Sequence, residues 1–498
     1  MRLHDLLDGV DVLGVRDGAG DHTDSAVNDV NVDSVVSDSR TSRSGALFAC
    51  IPGRVTDGHL YAPAAVEQGA VALLVERFVD GVEVPQVRVE SVRAAVGRVA
   101  ARAFGDPSQS LRVLGVTGTN GKTTTTYLLD AIARAAGETT GLIGTIETRV
   151  ADASATPVHT TPEAPELQAL LAQMRDAGVT TVSMEVSSHA LAQHRVDGTH
   201  YAATCFTNLS HDHLDYHGSL DAYFEAKARL FTTAFTDRAA INVDDEHGAL
   251  LAEWARNAGL NVLTYSARHG DVRAFDVVLA RDHTRLVIAW PGGEQTDLTT
   301  SLVGPFNVEN TIAAAATAHL AGFSFDTIVA GLNDTVNVPG RMEAVDAGQP
   351  FTVLVDYAHT PDALERVLHA SRSLIGPGGR VLVVYGCGGD RDRAKRPLMG
   401  AVAARGADRA FLTSDNPRSE APEAIAADVL AGVPPANQPR VELDRRIAIQ
   451  DALAAAQPGD VVVIAGKGHE PGQHIGGSTR PFDDRLVARQ ELEALACS

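Results

Sequence analysis

The sequence has 498 residues, a length that predicts three domains at about 100–200 residues each. Acidic residues number 63 against 42 lysines and arginines, and the resulting net charge of −21 argues against a general nucleic-acid binder, which needs basic surface. Charged residues at 21% and hydrophobic residues at 44% are typical of a globular protein rather than a disordered one.

The sequence predicts neither an export signal nor a membrane span. Acidic residues interrupt the first apolar stretch, and no uninterrupted apolar run approaches the roughly 18 residues of a membrane helix. The four cysteines are far apart and form no C-x-x-C pair, so neither a zinc knuckle nor a disulfide framework is indicated. We therefore expect a protein of the reducing cytoplasm that does not insert into a membrane.

Short strands alternate with a helical stretch in the first hundred residues. Residues 46–51 and 70–75 predict strands, and residues 92–104 predict a helix. The turn-forming cluster at 105–108 predicts the end of a first domain, 1–108.

The middle of the chain predicts a parallel sheet. Strands are predicted at 111–116, 180–186, 202–206 and 239–243. Helical stretches separate them, which is typical of crossover connections between parallel strands. A boundary near residues 337–340 then closes a second domain, 109–338.

The pattern restarts in a third domain, 339–498. Strongly apolar strands are predicted at 351–355, 380–385, 407–412 and 460–464, and each ends in polar residues. Ligands of open α/β sheets bind beyond the carboxyl ends of the strands, so this domain is expected to contain a second ligand site. The predicted fold class is α/β with three domains, each built on a mostly parallel sheet.

The strongest local signal is the glycine-rich segment GVTGTNGKTT at residues 115–124. It follows a predicted strand and precedes a helix, as a phosphate-binding loop does. Lys122 is placed to reach the β- and γ-phosphates of a nucleotide, and Thr123 to hold Mg²⁺. Val116 departs from the general P-loop spacing, which has glycine there. No N-K-x-D signature is present, so a GTPase is disfavoured.

Three candidate residues follow the central strands. Glu185 lies in MEVSSH, His213 in HDHLD and Lys227 in FEAK. Glu185 is a candidate ligand for Mg²⁺, which prefers oxygen. The His-rich tract could instead hold zinc, or form a solvated polar loop, and these residues alone leave the alternatives open.

The short form TGTNGKT, followed by EVSSH, NLSHDHLD and AKARLF, resembles the Mur ligase and folylpolyglutamate synthetase superfamily, whose members form amide bonds at the expense of ATP. The similarity to Mur ligases covers essentially the whole chain. It implies an N-terminal UDP-binding domain, a central P-loop ATP-binding domain and a C-terminal Rossmann-like domain. It also implies that ATP is bound by Gly118, Thr119, Asn120, Gly121, Lys122, Thr123, Thr124, Asn307, Asn310, Arg341, Asp356 and His359.

The same resemblance implies the catalytic and metal residues. The catalytic residues would be Lys122, Glu185, His213 and Lys227, and the Mg²⁺ ligands Thr123, Glu185, His213 and Lys227. In this family the lysine that matches Lys227 is carbamylated, which turns a cation into an anion that helps to place a second Mg²⁺.

The resemblance further implies two substrate sites. A UDP-muramoyl-dipeptide would be bound by Ser37, Ser39, Arg54, Val55, Thr56, Thr160, Thr161, Ser187, Gln193 and Arg195. The sequence D-N-P-R at 415–418 resembles the motif of family members that add meso-diaminopimelate. The diaminopimelate site would comprise Arg391, Asp415, Asn416, Pro417, Arg418, Gly466 and Glu470.

Arg418 is the residue that would select the amino acid. By resemblance it binds the distal carboxylate of diaminopimelate, a pairing that suits a guanidinium fork. L-Lysine lacks this carboxylate and would leave Arg418 unpaired. Sites built around such a polar pair strongly disfavour a substrate that lacks the pairing group. By itself D-N-P-R predicts a type I turn. A turn and a substrate-binding motif are compatible if the turn directs the arginine side chain toward the substrate.

The resemblance thus implies an ATP-dependent ligase that adds meso-2,6-diaminopimelate to UDP-N-acetylmuramoyl-L-alanyl-D-glutamate through an acyl phosphate, in cytoplasmic peptidoglycan precursor synthesis. A member that adds L-lysine is the nearest alternative. A folylpolyglutamate synthetase is not expected to carry the UDP-binding domain or D-N-P-R. An inactive nucleotide-binding module is disfavoured because the P-loop lysine and the catalytic acid, histidine and lysine are all present. We expect a monomer.

Overall fold

The computed structural model describes residues 1–19, 27–53, 56–280, 283–334 and 338–496. Three β-sheets flanked by helices follow one another along the chain, which is the predicted α/β fold with three sheet-bearing domains. Two predicted substrate contacts, Arg54 and Val55, lie outside the described residues, as does part of the predicted boundary at 337–340.

The first sheet has five strands. Its region contains α1 (Leu3–Leu6), β1 (Val12–Arg16), β2 (Ser34–Val36), β3 (Ala46–Ala49), α2 (Ala62–Glu67), β4 (Ala70–Val75), β5 (Gln86–Val89) and α3 (Val92–Ala103). The strand order is β1-β5-β4-β3-β2, and only β1 runs antiparallel to its neighbour. Helix α3 begins after Ser91, whose hydroxyl accepts a hydrogen bond from Ala94 N, and it buries Val92, Val96 and Val99 in the core of this domain.

The second sheet has eleven strands, and its region contains eight of the sixteen described α-helices. Its region contains β6 (Arg112–Thr117), α4 (Lys122–Ala135), β7 (Thr140–Ile143), β8 (Thr148–Val150), β9 (Ala153–Ala155), α5 (Ala164–Asp176), β10 (Thr181–Glu185), α6 (Ser188–Ala192), β11 (Ala203–Phe206), α7 (Leu214–His217), α8 (Leu220–Ala228), β12 (Arg238–Asn242), α9 (Glu246–Asn257), β13 (Asn261–Ser266), β14 (Val272–Leu279), β15 (Thr284–Ala289), β16 (Gln295–Thr300), α10 (Pro305–Leu320) and α11 (Phe325–Asn333).

The centre of this sheet is parallel and its edges are antiparallel. The order is β16-β15-β14-β13-β12-β11-β6-β10-β7-β8-β9, with antiparallel pairs at β14-β15-β16 and β7-β8-β9. Helix α10 is rich in buried alanines, including the run 313–316, and packs in the same core as α4. The four strands predicted here from the sequence are present, each within one or two residues of its predicted ends.

The third sheet has six strands, and a separate hairpin follows it. Its region contains β17 (Glu343–Ala344), β18 (Thr352–Asp356), α12 (Pro361–Arg372), β19 (Val381–Tyr385), α13 (Lys395–Gly406), β20 (Arg409–Leu412), α14 (Pro422–Leu430), β21 (Arg440–Val441), α15 (Arg445–Ala455), β22 (Val461–Ala465), β23 (Gly472–Ile475), β24 (Ser478–Pro481) and α16 (Asp484–Ala496). The sheet order is β17-β18-β22-β19-β20-β21, with only β17 antiparallel, and β23-β24 form the hairpin.

Both large sheets present the carboxyl ends of their parallel strands to ligand loops. Strands β6 and β10 end at Thr117 and Glu185, and β18, β20 and β22 end just before the predicted polar residues of the third domain. Parallel strands end at a common edge, so residues far apart in sequence meet there. Within the described ranges, no helix has the length and apolar character needed to cross a membrane.

Candidate functional site

A cavity of about 560 Å³ lies where the central and third domains meet. The central domain contributes the P-loop, Glu185, His213 and Lys227, and the third domain contributes Arg341, Asp356, His359 and Arg391. Predicted residues from two domains are therefore brought to one space of the size typical of small-molecule sites.

The P-loop connects the end of β6 to the start of α4. Gly118 and Gly121 have φ of 149° and 87°, and a Cβ at Gly118 would lie 1.8 Å from Thr207 Oγ1, so glycine is required there. Lys122 Nζ donates to the carbonyls of Gly118 and Thr119, at 2.9 Å each. Burial lowers the pKa of Lys122, against the attraction of Glu185. The Lys122 ammonium group thus hydrogen-bonds to the P-loop itself, next to the place where the nucleotide phosphates are predicted to bind.

Glu185, at the end of β10, lies directly beside the first turn of α4. Its Oε2 accepts a hydrogen bond from Thr123 Oγ1 at 3.0 Å, and its Oε1 accepts one from Thr145 N at 2.8 Å. Arg341 of the third domain also donates to Thr123 Oγ1, at 3.0 Å. This hydroxyl and carboxylate are oxygen donors that fit Mg²⁺. The described histidines, cysteines and acids form no group of three that could hold a metal by itself, so phosphate and water would complete the coordination.

Lys227 is, like Glu185, almost completely buried. It is 1% exposed, its Nζ donates to Gly118 O at 2.7 Å, and Nζ lies 4.4 Å from the centre of the Tyr223 ring. Burial, and then the neighbouring Lys122, hold the pKa of Lys227 well below its ordinary value. The neutral amine is therefore easier to form at Lys227 than at an exposed lysine.

His213 also lies near Tyr223. Its ring is 6.1 Å from that of Tyr223 and 4.7 Å from that of His189, and burial lowers the pKa of His213 to about 4. The neutral imidazole that results has a lone pair available for a metal. Tyr223 thus neighbours both predicted ligands of a second metal.

The third domain faces the P-loop with a set of polar residues that lie just before β17 and at the end of β18. Asp356 accepts hydrogen bonds from Met342 N at 2.8 Å and Ala358 N at 2.7 Å, and burial raises the pKa of Asp356. His359 Nδ1 lies 2.8 Å from Tyr357 O, and burial lowers the pKa of His359. The Arg341 guanidinium stacks 4.6 Å from the centre of the Tyr357 ring. The three predicted ATP residues of this group, Arg341, Asp356 and His359, all line the cavity.

The predicted adenine-side asparagines lie on the first turns of α10. Asn310 Nδ2 donates to Asn307 Oδ1 at 3.0 Å, and Asn307 Nδ2 donates to Val303 O at 2.8 Å. Asn310 lines the cavity. Asn307 does not line it, and its side chain orients Asn310 through their hydrogen bond.

The middle group of predicted substrate residues surrounds the end of β10. Thr161 Oγ1 donates to Glu185 O at 2.9 Å, and the Ser187 hydroxyl caps α6. Arg195 donates to Gln193 Oε1 at 2.8 Å and pairs with Glu163 at 2.9 Å. Four of the five predicted residues line the cavity, namely Thr160, Thr161, Ser187 and Arg195.

The predicted residues of the first domain lie outside this cavity. Ser37 donates to Glu166 Oε1 at 2.8 Å, which joins the first domain to helix α5 of the central domain. Ser39 belongs to a short 3₁₀ turn, and Thr56 Oγ1 donates to Tyr61 Oη at 3.2 Å. The structure therefore does not bring Ser37, Ser39 and Thr56 together with the P-loop.

The predicted amino-acid residues gather at the ends of β20 and β22. Asn416 Nδ2 donates to Glu470 Oε2 at 2.8 Å, and Arg418 donates to Gly389 O at 2.7 Å. A Cβ at Gly466 would lie 2.6 Å from Asp415 Oδ2, so this glycine permits the close approach of the two loops. Of the group, Arg391 alone lines the described cavity, and the others lie beside it.

Family models match three consecutive parts of the chain. Models described as "Mur ligase family, catalytic domain", "Mur ligase middle domain" and "Mur ligase, glutamate ligase domain" match residues 31–104, 116–318 and 340–468. A UDP-N-acetylmuramoyl-L-alanyl-D-glutamate–2,6-diaminopimelate ligase of Gloeobacter violaceus is 45% identical over 99% of this chain and 98% of that protein. The chain belongs to the Mur ligase family.

Other relatives agree with this assignment. A Geobacillus kaustophilus protein with the same name is 47% identical over 92% of this Mur ligase and 94% of its own length. A solved structure of a protein with that name is 36% identical, with a TM-score of 0.70, and covers 95% of this chain and 97% of its own. The family predicted from the sequence and the three-domain α/β fold are thereby confirmed.

More distant structures share the fold alone. A MurF ligase from Thermotoga maritima in complex with ADP is 18% identical, with a TM-score of 0.64, over 95% of this chain and all of its own. A Mycobacterium tuberculosis folylpolyglutamate synthase complexed with ADP is 19% identical, with a TM-score of 0.61, over 74% of this chain and 90% of its own.

Sequence reasoning missed several residues of this Mur ligase site. Thr145, after β7, donates to both oxygens of Glu185, and Tyr223 lies close to both His213 and Lys227. Asp362, at the start of α12, accepts from Asn120 at 2.8 Å, and Lys467 contacts Asn416. Thr145 could have been found as a polar residue after a strand, and Lys467 from its place between Gly466 and Glu470. Nothing in the sequence distinguishes Tyr223 or Asp362.

Proposed function

We propose that this Mur ligase joins meso-2,6-diaminopimelate to UDP-N-acetylmuramoyl-L-alanyl-D-glutamate at the expense of ATP, as a step in cytoplasmic peptidoglycan precursor synthesis. The observation that carries the proposal is the position of Arg418 and its D-N-P-R turn beside a cavity that joins the P-loop to Thr161 and Arg195. The names of relatives 45–47% identical over nearly the whole chain support it.

ATP would occupy the part of the cavity between the P-loop and the third domain. Lys122 would exchange its loop carbonyls for the phosphates, and Arg341, already hydrogen-bonded to Thr123, would add a second positive charge. Thr123 and Glu185 would hold Mg²⁺, which neutralises charge on the phosphates. Asn310 would contact the base.

The reaction has two steps. The γ-carboxylate oxygen of D-glutamate attacks the γ-phosphorus of ATP, forming an acyl phosphate as ADP leaves. The amine nitrogen of diaminopimelate then attacks the acyl carbon, phosphate leaves, and the nitrogen loses a proton. Arg195 and Thr161 would orient the dipeptide, and Arg418 the amino acid, so that the reacting atoms meet. Closure of the domains would exclude water from the acyl phosphate.

We propose that Lys227 acts as a carbamate. A buried amine that favours its neutral form can attack CO₂, forming an N–C bond as one proton leaves the nitrogen. The resulting carboxylate, together with His213, would help to hold a second Mg²⁺.

The state of Lys227 can be tested by removing CO₂. We expect that dialysis of the enzyme under CO₂-free buffer at mildly acidic pH lowers ligase activity severalfold and that bicarbonate restores it. A Lys227→Met variant should stay inactive in both buffers. Bicarbonate-independent activity of the dialysed enzyme, with intact-mass measurement showing no added 44 Da on Lys227, would contradict the carbamate.

We further propose that the protein is a cytoplasmic monomer with domains 1–108, 109–338 and 339–498, and that it binds no nucleic acid. Each sheet draws its strands from one of these ranges, and the net charge is −21. Light scattering after size exclusion would measure the mass directly, and a value twice 52.3 kDa would contradict the monomer.

A phosphate-release assay tests the main proposal. Purified enzyme is supplied with ATP, Mg²⁺ and UDP-N-acetylmuramoyl-L-alanyl-D-glutamate, and meso-diaminopimelate is compared with L-lysine. We expect phosphate release that depends on both the dipeptide and diaminopimelate. If neither amine stimulates release, the ligase proposal fails, whereas equal rates with both amines would remove only the specificity assigned to Arg418.

A further inference from the structure

Lysine is rare in this chain, and every lysine lies at the site. It accounts for four of the 42 lysines and arginines, and none of the four is exposed. Lys122 and Lys227 belong to the nucleotide site, and Lys395 donates to His359 O at 3.0 Å. The fourth, Lys467, has no role in the function described so far. Because the exposed cations of this chain are arginines, a completely buried lysine requires a local explanation.

Lys467 follows β22 and uses all of its hydrogen-bonding capacity inside the protein. Its side chain is 0% exposed, and its Nζ donates to Asn416 Oδ1 at 3.1 Å, to Glu470 Oε2 at 3.0 Å and to Gly472 O at 2.6 Å. An ammonium group has three N–H donors and no acceptor, so these contacts saturate it. Lys467 therefore cannot bind a ligand itself and acts through Asn416 and Glu470.

Lys467 and the backbone of His474 together hold the orientation of the Asn416 amide. Because Lys467 only donates, and His474 N donates to the same atom at 3.0 Å, that atom must be the amide oxygen. The amide nitrogen is then directed to Glu470 Oε2, at 2.8 Å. Without Lys467 the amide oxygen would keep one donor, His474 N, and Glu470 Oε2 would lose the ammonium group that holds it beside the amide.

The same contact leaves one oxygen of Glu470 for a ligand. Oε2 accepts hydrogen bonds from both Lys467 and Asn416, whereas no described residue donates a hydrogen bond to Oε1. The Glu470 side chain is 29% exposed, so this second oxygen can be reached. A carboxylate oxygen held in this way is an acceptor for an ammonium group.

We propose that Lys467 is a positioning residue that directs Glu470 at the distal ammonium group of the amino-acid substrate, an inference that rests on the proposed function. Asn416 lies two residues before Arg418, which is proposed to bind the distal carboxylate. The distal carbon of diaminopimelate carries a carboxylate and an ammonium group, so the Asn416–Glu470 pair and Arg418 would contact the two groups of one carbon.

The test compares meso-diaminopimelate with L-2-aminopimelate, which has the same chain and both carboxylates but lacks the distal amine. kcat/KM for each is measured in the wild type and in Lys467→Met, which keeps the length of the side chain and removes its three donors. We expect the preference for diaminopimelate to fall about tenfold, as expected for the loss of one charged hydrogen bond, with KM for ATP unchanged.

Arg446→Met is the matched control in the same domain. Arg446, on α15, is a half-exposed cation that pairs at 2.6 Å with Glu491 of α16, and its removal should leave the preference unchanged. In the double variant Lys467→Met/Glu470→Gln, the preference should be no lower than in Glu470→Gln alone, because Lys467 acts through Glu470. Lys467→Gln replaces Lys467→Met if the latter does not fold.

Two failures are distinguishable. An active wild type with an unchanged preference in the Lys467 variants, or with KM for ATP raised in parallel, would overturn the role of Lys467 and leave the ligase proposal intact. A wild type that releases no phosphate with any amine would overturn the proposed function and this inference with it.

Discussion

Arg418 occupies a backbone conformation that few residues other than glycine adopt, with φ of 54°. Its N–H donates to His474 O at 3.0 Å and its carbonyl accepts from Gly476 N at 2.8 Å, so the β23–β24 hairpin holds both sides of the residue. The guanidinium donates to Gly389 O at 2.7 Å. The strained conformation is thus maintained by its surroundings, as is common at ligand sites.

Arg418→Lys tests whether the fork of the guanidinium selects the substrate. We expect kcat/KM for meso-diaminopimelate to fall about 100-fold, roughly 2.7 kcal/mol, because an ammonium cannot pair bidentately with the distal carboxylate. The substitution keeps the charge and the positive φ, so thermal stability should change little. Steady-state kinetics with each substrate are the measurement, and an equal loss in kcat/KM for ATP would remove Arg418 from its proposed role.

At the scale of elements, the central parallel strands were predictable and the edges of the sheets were not. β19 and β22 are continuous apolar runs buried on both faces, and their predicted ends are within one or two residues of those observed. β9, a short exposed strand, and β16, a mostly polar and partly exposed strand, lie at the two edges of the central sheet and carry no continuous apolar run. Their extended conformation depends on pairing with a neighbour, which the local sequence does not encode.

Two neighbouring strands of the third sheet are tied together at their amino ends by Asp460. This residue precedes β22, its side chain is 1% exposed, and it accepts from Arg380 Nη2 at 2.6 Å and from Arg380 N at 2.7 Å. Burial by itself would raise the pKa of Asp460, but the hydrogen bonds from the Arg380 side chain and from the backbone N–H groups of Gln457 and Arg380 together lower this pKa in the folded protein. Such a group stabilises the fold above its unfolded pKa of about 3.9, and the contribution is lost as pH falls through the lower folded value.

We expect Asp460→Asn to destabilise the third domain by about 2 kcal/mol at pH 7. Below pH of about 3.9 the difference between variant and wild type should shrink, because the wild-type carboxylate also becomes protonated. Hydrogen exchange of the β19 and β22 amides at the two pH values measures the effect locally. A difference that stays constant between neutral and acidic pH would show that the charge of Asp460 is not the cause.

At the scale of the whole molecule, a small number of polar contacts closes the site. Asp362, at the start of α12, accepts hydrogen bonds from Asn120 of the P-loop at 2.8 Å and from Ser210 at 3.0 Å. Arg341 reaches Thr123 across the same boundary. The cavity exists because these contacts hold the third domain against the P-loop, and contacts of this kind open readily.

Asp362→Ala removes the first of these contacts. We expect kcat to fall about tenfold, because the closed arrangement of the domains would be less populated and closure would require more free energy in each turnover. Small-angle scattering of the ligand-free variant should give a larger radius of gyration than the wild type. Glu365→Ala, an exposed acid on the same helix, is the control and should change neither quantity. A normal radius of gyration with reduced kcat would assign Asp362 a role in the chemistry instead.

The sequence by itself determined the family and the three-domain α/β fold, and it predicted the chemistry of each ligand loop. The P-loop glycines, the segment around Glu185 and the D-N-P-R turn are local sequence patterns. The ligand contact that each one predicts depends only on the spacing of a few neighbouring residues. Only the tertiary structure decided which loops share a site. It placed Thr145 against Glu185, Tyr223 beside both His213 and Lys227, and Lys467 against Asn416. These contacts join the ends of different strands and different domains, and their geometry is set by sheet order and domain packing, which no local pattern encodes.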